Sequence, residues 1–417
     1  MARLVSFFGL VTMLLLAWLL SENRKRMNFR LIASGVGLQI ALAALFLGTP
    51  LKTTFFDLVG AVMTGFIACS DRGAEFVFGS FFFDPAFRQK WGGTPFAFTV
   101  MPAVIVFSSL TAVLFYLGIL QWIVKVMARV MVWVMDVSGA ESLCAAANVF
   151  VGMTTAPLVI RPYLPTMTRS ELMAMMTGGM ATVAGGTMVG YVSMAPDPQS
   201  RAVLAGHLAI ASLISAPASL VVAKIMLPEL EDSPTKGRVT IDVPRTDANV
   251  LDAACRGAAE GLKLVLNIVA MLIAFIALVH LANLILSPLP PIAGEPLTLQ
   301  RMLGWLCSPL AWIMGVEWND ARAVGQLIGE KTIFNEFLAY KTLLVDYQGQ
   351  LSDRSFTIAT YALCGFANLG SIAVTIGGIS GLAPERRSDF AKYGFRSMIA
   401  GALAAFMTAS IAGMLIP

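Results

Sequence analysis

The chain has 417 residues, of which 57% are hydrophobic and only 13% charged, with a net charge of +4. At a mean hydropathy of +0.76 it lies far from a soluble domain, where about 25% of residues carry charge, and it reads as one polytopic unit in a lipid bilayer. So small a charge, set in short loops, excludes a nucleic-acid partner and speaks to membrane orientation instead.

A spanning helix needs about 20 apolar residues, and on that basis 4–20 and 31–48 are the first two spans. Arg3 precedes the first, but no A-x-A cleavage site follows, so it reads as a retained helix rather than a signal peptide. Segment 50–96 starts amphipathically and contains Gly79-Ser80-Phe81-Phe82-Phe83-Asp84-Pro85; it reads as too broken to span, an interfacial helix with an aromatic-rich loop. Further spans follow at 98–122, 170–194, 202–227, 258–287, 356–379 and 393–415, eight in all. Two other apolar stretches, 127–165 and 303–345, carry charge near their middles, at Glu141 and Arg161 and at Glu317, Asp320, Glu330, Lys331 and Glu336. A charge at bilayer depth costs about 2.5–3.5 kcal/mol on insertion scales, so both read as re-entrant hairpins. The stretch 229–256, rich in Pro and charge, reads as a flexible cytoplasmic crossover. The five cysteines (Cys69, Cys144, Cys255, Cys307, Cys364) form no C-x-x-C pair and read as small apolar fillers. His207 and His280 are isolated from any ligand partner, which points to packing or interfacial roles.

Basic residues set the orientation. The loop Glu22-Asn23-Arg24-Lys25-Arg26 is cytoplasmic by the positive-inside rule, and threading eight spans from it places Lys125, Arg129, Arg161 and Arg169 on the same side. Lys236, Arg238, Arg245 and Arg256, then Arg386, Arg387, Lys392 and Arg396, also return to the cytoplasm. Both termini then lie outside, and the two hairpins enter from opposite faces.

Two apolar segments are broken alike. Gly179-Met180-Ala181-Thr182-Val183-Ala184-Gly185 matches Gly365-Phe366-Ala367-Asn368-Leu369-Gly370-Ser371 as glycine, large apolar, alanine, hydrogen-bonding residue, branched apolar and two small residues. Each follows a hairpin tip, Asn148–Pro157 in one case and Glu330–Phe337 in the other. The expected fold is therefore an all-α polytopic membrane protein with eight transmembrane helices, two opposed re-entrant hairpins and an inverted repeat with broken helices. Its parts are 1–126 (N-terminal helices and scaffold), 127–227 (repeat one), 228–302 (linker and long scaffold helix) and 303–417 (repeat two). Paired broken helices in an inverted repeat mark a solute carrier's midplane site, where irregular backbone is tolerated because it lines a cavity.

The residues at these breaks carry a resemblance. Ala145-Ala146-Ala147-Asn148-Val149-Phe150-Val151-Gly152 and Ala156-Pro157-Leu158-Val159-Ile160-Arg161-Pro162 resemble the first hairpin of the concentrative nucleoside transporters. Asn335-Glu336-Phe337 and Cys364-Gly365-Phe366-Ala367-Asn368-Leu369 are similar to two further signatures of that family, and the resemblance covers nearly the whole chain. It implies a homotrimer in the inner (plasma) membrane and sodium-driven nucleoside uptake by an elevator motion. It assigns ribose recognition to Glu336, Asn368 and Ser371, with Phe366 packing on the sugar or base. A carboxylate, an amide and a hydroxyl supply the acceptors and donors that sugar hydroxyls need. It assigns the sodium site to Asn148, Thr154 and Thr182 with the carbonyls of Val151 and Val183; a hard cation prefers such oxygens. No organic cofactor is implied.

The base half departs from the family pattern. Gly-Gln-(Thr/Ser)-Glu at the first tip is here Gly152-Met153-Thr154-Thr155, so an amide has become a thioether and a carboxylate a shorter hydroxyl. Thr187 adds a hydroxyl near the base, which compensates in part through water. Selectivity is then either broadened, redirected to a ribosyl compound with a less polar aglycone, or weakened for uridine. Other readings of single residues stand beside these: Glu336 as an ion-pair partner of Lys331 or Lys341, Asn368 as a helix cap, and the Thr182 hydroxyl bonded to its own helix. A proton-coupled carrier is the nearest rival. An intramembrane enzyme using Glu336 is a weaker one, since no nucleophile motif or metal cluster accompanies it.

Overall fold

The computed structural model describes residues 2–84, 96–237, 247–292 and 294–417. Pro85, Arg238 and Arg245, named above, lie outside them. The regular elements among the described residues are all helices, with two isolated β-bridges besides. In chain order the helices are α1 Ala2–Leu19, α2 Phe29–Leu47, α3 Leu51–Phe78, α4 Phe96–Tyr116, α5 Ile119–Met135, α6 Gly139–Val151, α7 Arg169–Ala181 and α8 Gly185–Met194. They continue with α9 Pro198–Met226, α10 Val250–Leu286, α11 Leu299–Ile313, α12 Ala321–Ile333, α13 Glu336–Lys341, α14 Asp353–Leu363, α15 Leu369–Ser380 and α16 Arg387–Leu415.

Local chemistry fixes the inner helix starts. Ser138 and Thr168 open α6 and α7 with capping boxes whose third residues are Glu141 and Glu171. Both ends are buried, so each orphan N–H there needs a partner. The capping carboxylates serve a second purpose. Lys224 near the end of α9, itself buried, pairs with Glu141 at 2.8 Å and with Glu229 at 3.0 Å. The Ser233 hydroxyl donates to Glu171 Oε1 at 2.5 Å, and the Thr235 carbonyl accepts from Gly139 N–H at 3.0 Å. The start of the crossover is thus strapped across both helix ends, contrary to the flexible linker expected there. Composition conveyed its polarity but not the buried partners awaiting each polar group.

Burial separates an inner bundle from an outer layer. The membrane-length stretch containing α7 and α8 is 100% buried, whereas that of α10 is 17% buried. α9, α14 and α16 complete the inner bundle. The outer α4 and α10 close on each other through small residues: a Cβ on Gly257 would lie 2.6 Å from the Ser108 carbonyl, and one on Gly261 2.8 Å from Ile105 Cα. Such small-xxx-small contacts are how helices pack closely in lipid.

Eight helical stretches among the described residues are long and apolar enough to cross a membrane. α3 is one of them, an unbroken 28-residue helix. Its charges and three glycines lower the hydropathy, but no proline interrupts it, so the segment is not broken before Gly79. The hairpins also differ in their limits. In the first, α6 and the 3-10 stretch Ala156–Thr166 flank the tip 152–155. α5 is a separate helix that ends at Asp136 (φ 54°), so the hairpin starts at 139 rather than 127. α5 buries Leu120, Val124, Ala128 and Met131 and exposes Trp122, Val126, Val130 and Trp133, and its apolar outer face hid the turn in the hydropathy. In the second, α12 and α13 flank the tip at Phe334–Asn335, and α11 packs antiparallel to α12 ahead of them.

Each repeat then holds one broken helix, α7–α8 and α14–α15, and the two breaks touch. Gly365 has φ +95°, and a Cβ there would lie 2.6 Å from the carbonyl oxygens of both Met180 and Ala181. Backbone strain alone costs about 1–3 kcal/mol for a side chain in such a region. Gly365→Ala is therefore expected to lower the thermal unfolding midpoint in detergent by several degrees, with Gly377→Ala, whose Cβ meets nothing within 4 Å, as the matched control. Equal midpoints for the two variants would show that the breaks do not depend on this contact.

Candidate transport site

The second break and the second hairpin meet through hydrogen bonds. Asn335 caps α13 and Asn368 caps α15, each side-chain oxygen accepting a backbone N–H at 2.8 Å, from Leu338 and Ser371 respectively. The remaining Asn368 donor, Nδ2, reaches Glu336 Oε2 at 2.8 Å. Asn368 is thus both a cap and a partner of the carboxylate. Glu336, Asn368 and Ser371 are all buried and stand together, with two helix N-termini beside them. Partial positive charge at those ends favours electron-rich groups.

Glu336 is not in an ion pair with Lys331 or Lys341. Lys341 pairs with Asp346 at 2.8 Å. Lys331 is fully buried and donates to the carbonyls of Ala362 and Cys364, each at 2.9 Å, at the C-terminal end of α14. The other oxygen of Glu336 instead accepts from the Tyr191 hydroxyl at 3.2 Å. Tyr191 lies on α8, in the other repeat, stacked on Tyr340 with ring centroids 4.3 Å apart. Tyr191 is not among the residues expected at the site from the sequence. A buried tyrosine in an apolar run needs a hydroxyl partner, and that requirement was the available signal.

Around the first break, the Asn148 side chain projects from α6 toward the last turn of α7: its Oδ1 would lie 3.6 Å from a Cβ on Gly179. That oxygen is buried and has no hydrogen-bond partner. The Thr182 hydroxyl donates to Gly178 O at 2.9 Å, which directs its lone pairs away from the helix. Ser212 on α9 pins the break, accepting from Val183 N–H at 3.3 Å and donating to Val183 O at 3.0 Å. Val151 ends α6, and Gly152 (φ +85°) turns the chain into the tip.

A cavity of about 620 Å³ lies beside both groups. Met153, Thr154, Thr155, Thr187 and Phe366 line it, facing Ser108, Lys263 and Asn267 from α4 and α10. Val151 reaches it too, but Glu336, Asn368, Ser371, Asn148 and Thr182 do not line it. Met153 is directed partly back into the protein, its sulfur accepting from the Thr375 hydroxyl at 3.5 Å. The Thr187 hydroxyl donates to Ala184 O at 2.8 Å. At the cavity mouth, Arg256 pairs with Asp247 at 2.7 Å and with Glu260 at 2.8 Å. Its guanidinium hydrogen bonds hold the Asp247 carboxyl below the usual carboxylate range.

Two broken helices in contact, two hairpin tips closing on them and a cavity beside them define a membrane transporter built on an inverted repeat. Three family models cover most of the chain: the N-terminus of Na+ dependent nucleoside transporters over 8–81, nucleoside recognition over 97–197 and the Na+ dependent nucleoside transporter C-terminus over 207–413. The chain is similar to an uncharacterized transporter of Haemophilus influenzae, 42% identical over 100% of this chain and 98% of that one. It is 41% identical to solute carrier family 28 member 3 of Rattus norvegicus over 99% of its own length, and it spans 59% of that longer protein. Among solved structures, CNTnw in an inward-facing substrate-bound state matches with 42% identity, 100% and 98% coverage and a TM-score of 0.91. An outward-facing variant of CNTnw matches with 41% identity over 100% and 98% of the two chains and a TM-score of 0.91. The chain belongs to the Na+ dependent (concentrative) nucleoside transporters, a family of transporters and not of enzymes.

Ser212→Ala removes both bonds at the first break. An interhelical hydrogen bond in a membrane protein is worth about 1 kcal/mol, so a loss of about 1–3 kcal/mol is expected, read as a lower unfolding midpoint in detergent. A midpoint matching that of the unaltered protein would show that the break is held by other groups.

Proposed function

We propose that the chain is a sodium-coupled symporter importing nucleosides, or a related ribosyl compound, by elevator-type alternating access. The observation that carries the reading is the Glu336–Asn368 pair, which joins the second hairpin tip to the second break at 2.8 Å beside the cavity. Sugar hydroxyls replace that bond: the carboxylate accepts from one hydroxyl, while Asn368 Nδ2 and the Ser371 hydroxyl serve others. Phe366 covers the sugar or base from the cavity wall. Sodium is taken up at the first break. There the unpartnered Asn148 oxygen, the outward lone pairs of Thr182, Thr154 and the carbonyls of Val151 and Val183 supply hard oxygen donors. The C-terminal ends of α6 and α7 add negative helix dipole. That donor set contains no group that titrates near neutral pH, which favours sodium over a proton at this site.

The cavity reaches Asp247, next to the crossover that the basic-residue count places in the cytoplasm. The form described is thus inward-facing. A homotrimer in the inner (plasma) membrane, with both termini outside, follows from the family resemblance and that same count. The apolar outer face of α10, with Ile273, Ile276, Leu281 and Leu284 exposed, suits a lipid or subunit surface.

Substitution separates the two halves of the site. Glu336→Gln keeps the shape but removes the charge that strengthens its hydrogen bonds to sugar, worth about 1.5–3 kcal/mol. Sodium-driven uptake of labelled nucleoside into proteoliposomes is expected to fall by about 10-fold or more, and saturable uptake at the unaltered rate would sink the ribose assignment. On the base side, Met153 offers an adaptable apolar surface where an amide would pair with base edges. We read this as broadened selectivity. Met153→Gln is expected to widen the ratio of Vmax/KM between pyrimidine and purine nucleosides by about 10-fold; an unchanged ratio would assign the base preference to other residues.

A further inference from the structure

The two repeats place different chemistry in one corner of the fold. In each, the first arm of the hairpin directs a side chain at the C-terminal end of the first half of the broken helix. Such an end presents backbone carbonyls without intrahelical partners, and in a membrane interior they need positive charge or donors. In the second repeat the side chain is Lys331, near the end of α12. Its ammonium donates to Ala362 O and Cys364 O at 2.9 Å each, is wholly buried and sits 5.9 Å above the Phe406 ring. Its charge is held by carbonyl dipoles and an aromatic face. In the first repeat the side chain is Asn148, near the end of α6, directed at the last turn of α7. It carries no charge, and its Oδ1, buried beside that turn, has no partner.

We propose that Lys331 is a built-in cation filling, in the second repeat, the place that a sodium ion takes in the first. One break is closed permanently by a tethered ammonium, and the other is closed only when an ion arrives. The fold then needs one sodium ion at its breaks rather than two. This inference rests on the sodium site at the first break proposed above. It goes further by assigning Lys331 the role of charge partner to the second break and not to Glu336.

The test exchanges the two side chains and reads sodium-dependent thermal stability of the purified protein, titrating NaCl against choline chloride at constant ionic strength. An ion that binds only the folded state raises the unfolding midpoint with concentration. The unaltered protein should follow a one-site curve. Lys331→Asn should be less stable in choline and should recover in sodium along a curve with a second binding event. Lys331→Met, which brings neither charge nor oxygen, should lose stability without that second recovery. Asn148→Lys, the reciprocal change, should be insensitive to sodium. In proteoliposomes, Lys331→Asn should raise the sodium-to-nucleoside flux ratio from one to two. The inference is overturned if Lys331→Asn gains no more from sodium than the unaltered protein, if sodium at no concentration lets it fold, or if Asn148→Lys keeps the full sodium response. Absence of any sodium-specific stabilisation in the unaltered protein is a different outcome, which removes the sodium site itself and the inference with it.

Discussion

The contact between the two helix breaks is the constraint on which the other features depend. A bilayer interior offers no water to unpaired backbone groups, yet α7–α8 and α14–α15 both interrupt their hydrogen-bond ladders there. The Gly365 backbone passes against the Met180 and Ala181 carbonyls at a distance that no side chain permits. Further groups at the breaks are met by elements from elsewhere in the chain: Ser212 from α9 at Val183, and Lys331 from α12 at Ala362 and Cys364. The irregular backbone is stable because the inner bundle closes around it. That requirement explains why α7 and α8 are wholly buried while α10 exposes most of its length.

Buried polar groups also explain how the repeats act together. Glu336 belongs to the second hairpin, but its two oxygens are held by Asn368 in the same repeat and Tyr191 in the other. A ligand that draws on Glu336 perturbs both. At the opposite end of the inner bundle, Lys224 links the capping carboxylate of α6 to Glu229, and the strap that follows ties down α7. Breaking one partner of such a buried pair costs about 3–5 kcal/mol. The hairpin, the first broken helix and the start of the crossover are therefore held together as one packed body.

The sequence was legible where a residue type has one physical use in a membrane. Glycine, asparagine and threonine inside an apolar run announced both breaks, and charges inside runs of spanning length announced both hairpins. Boundaries were less legible. α5 and α11 are apolar enough to merge with the hairpins that follow them, and only Gly118, Asp136 and Gly315, each at positive φ, mark the turns. Segment 51–78 looked broken because charge and glycine lower hydropathy without interrupting a helix. Long-range partners were the least legible. Arg354 donates to the Gly315, Gly413 and Ile416 carbonyls and to the Ser6 hydroxyl, tying α1, α16 and the α11–α12 turn together. Nothing local to Arg354 distinguishes it from a loop arginine, and the position of Ser212 in α9 carries no record of what it meets.

Met153 shows how an apolar side chain is accommodated at the first tip. The first tip must lie close to the first break, since a Cβ on Gly179 would come within 2.7 Å of Met153 Cβ. An amide there would require a polar partner in every conformation, because unpaired amides are costly when buried. The thioether escapes that requirement. It fills the space beside Gly179, accepts a weak hydrogen bond from Thr375 and still lines the cavity. Thr375 is itself buried on α15, beyond the second break, so the tip is braced by the opposite repeat. On the function proposed above, the sugar side is built from charge-assisted hydrogen bonds that demand particular partners, and the base side from contacts that tolerate many. In a site of that construction, the sugar decides what is admitted and the base only how well it packs.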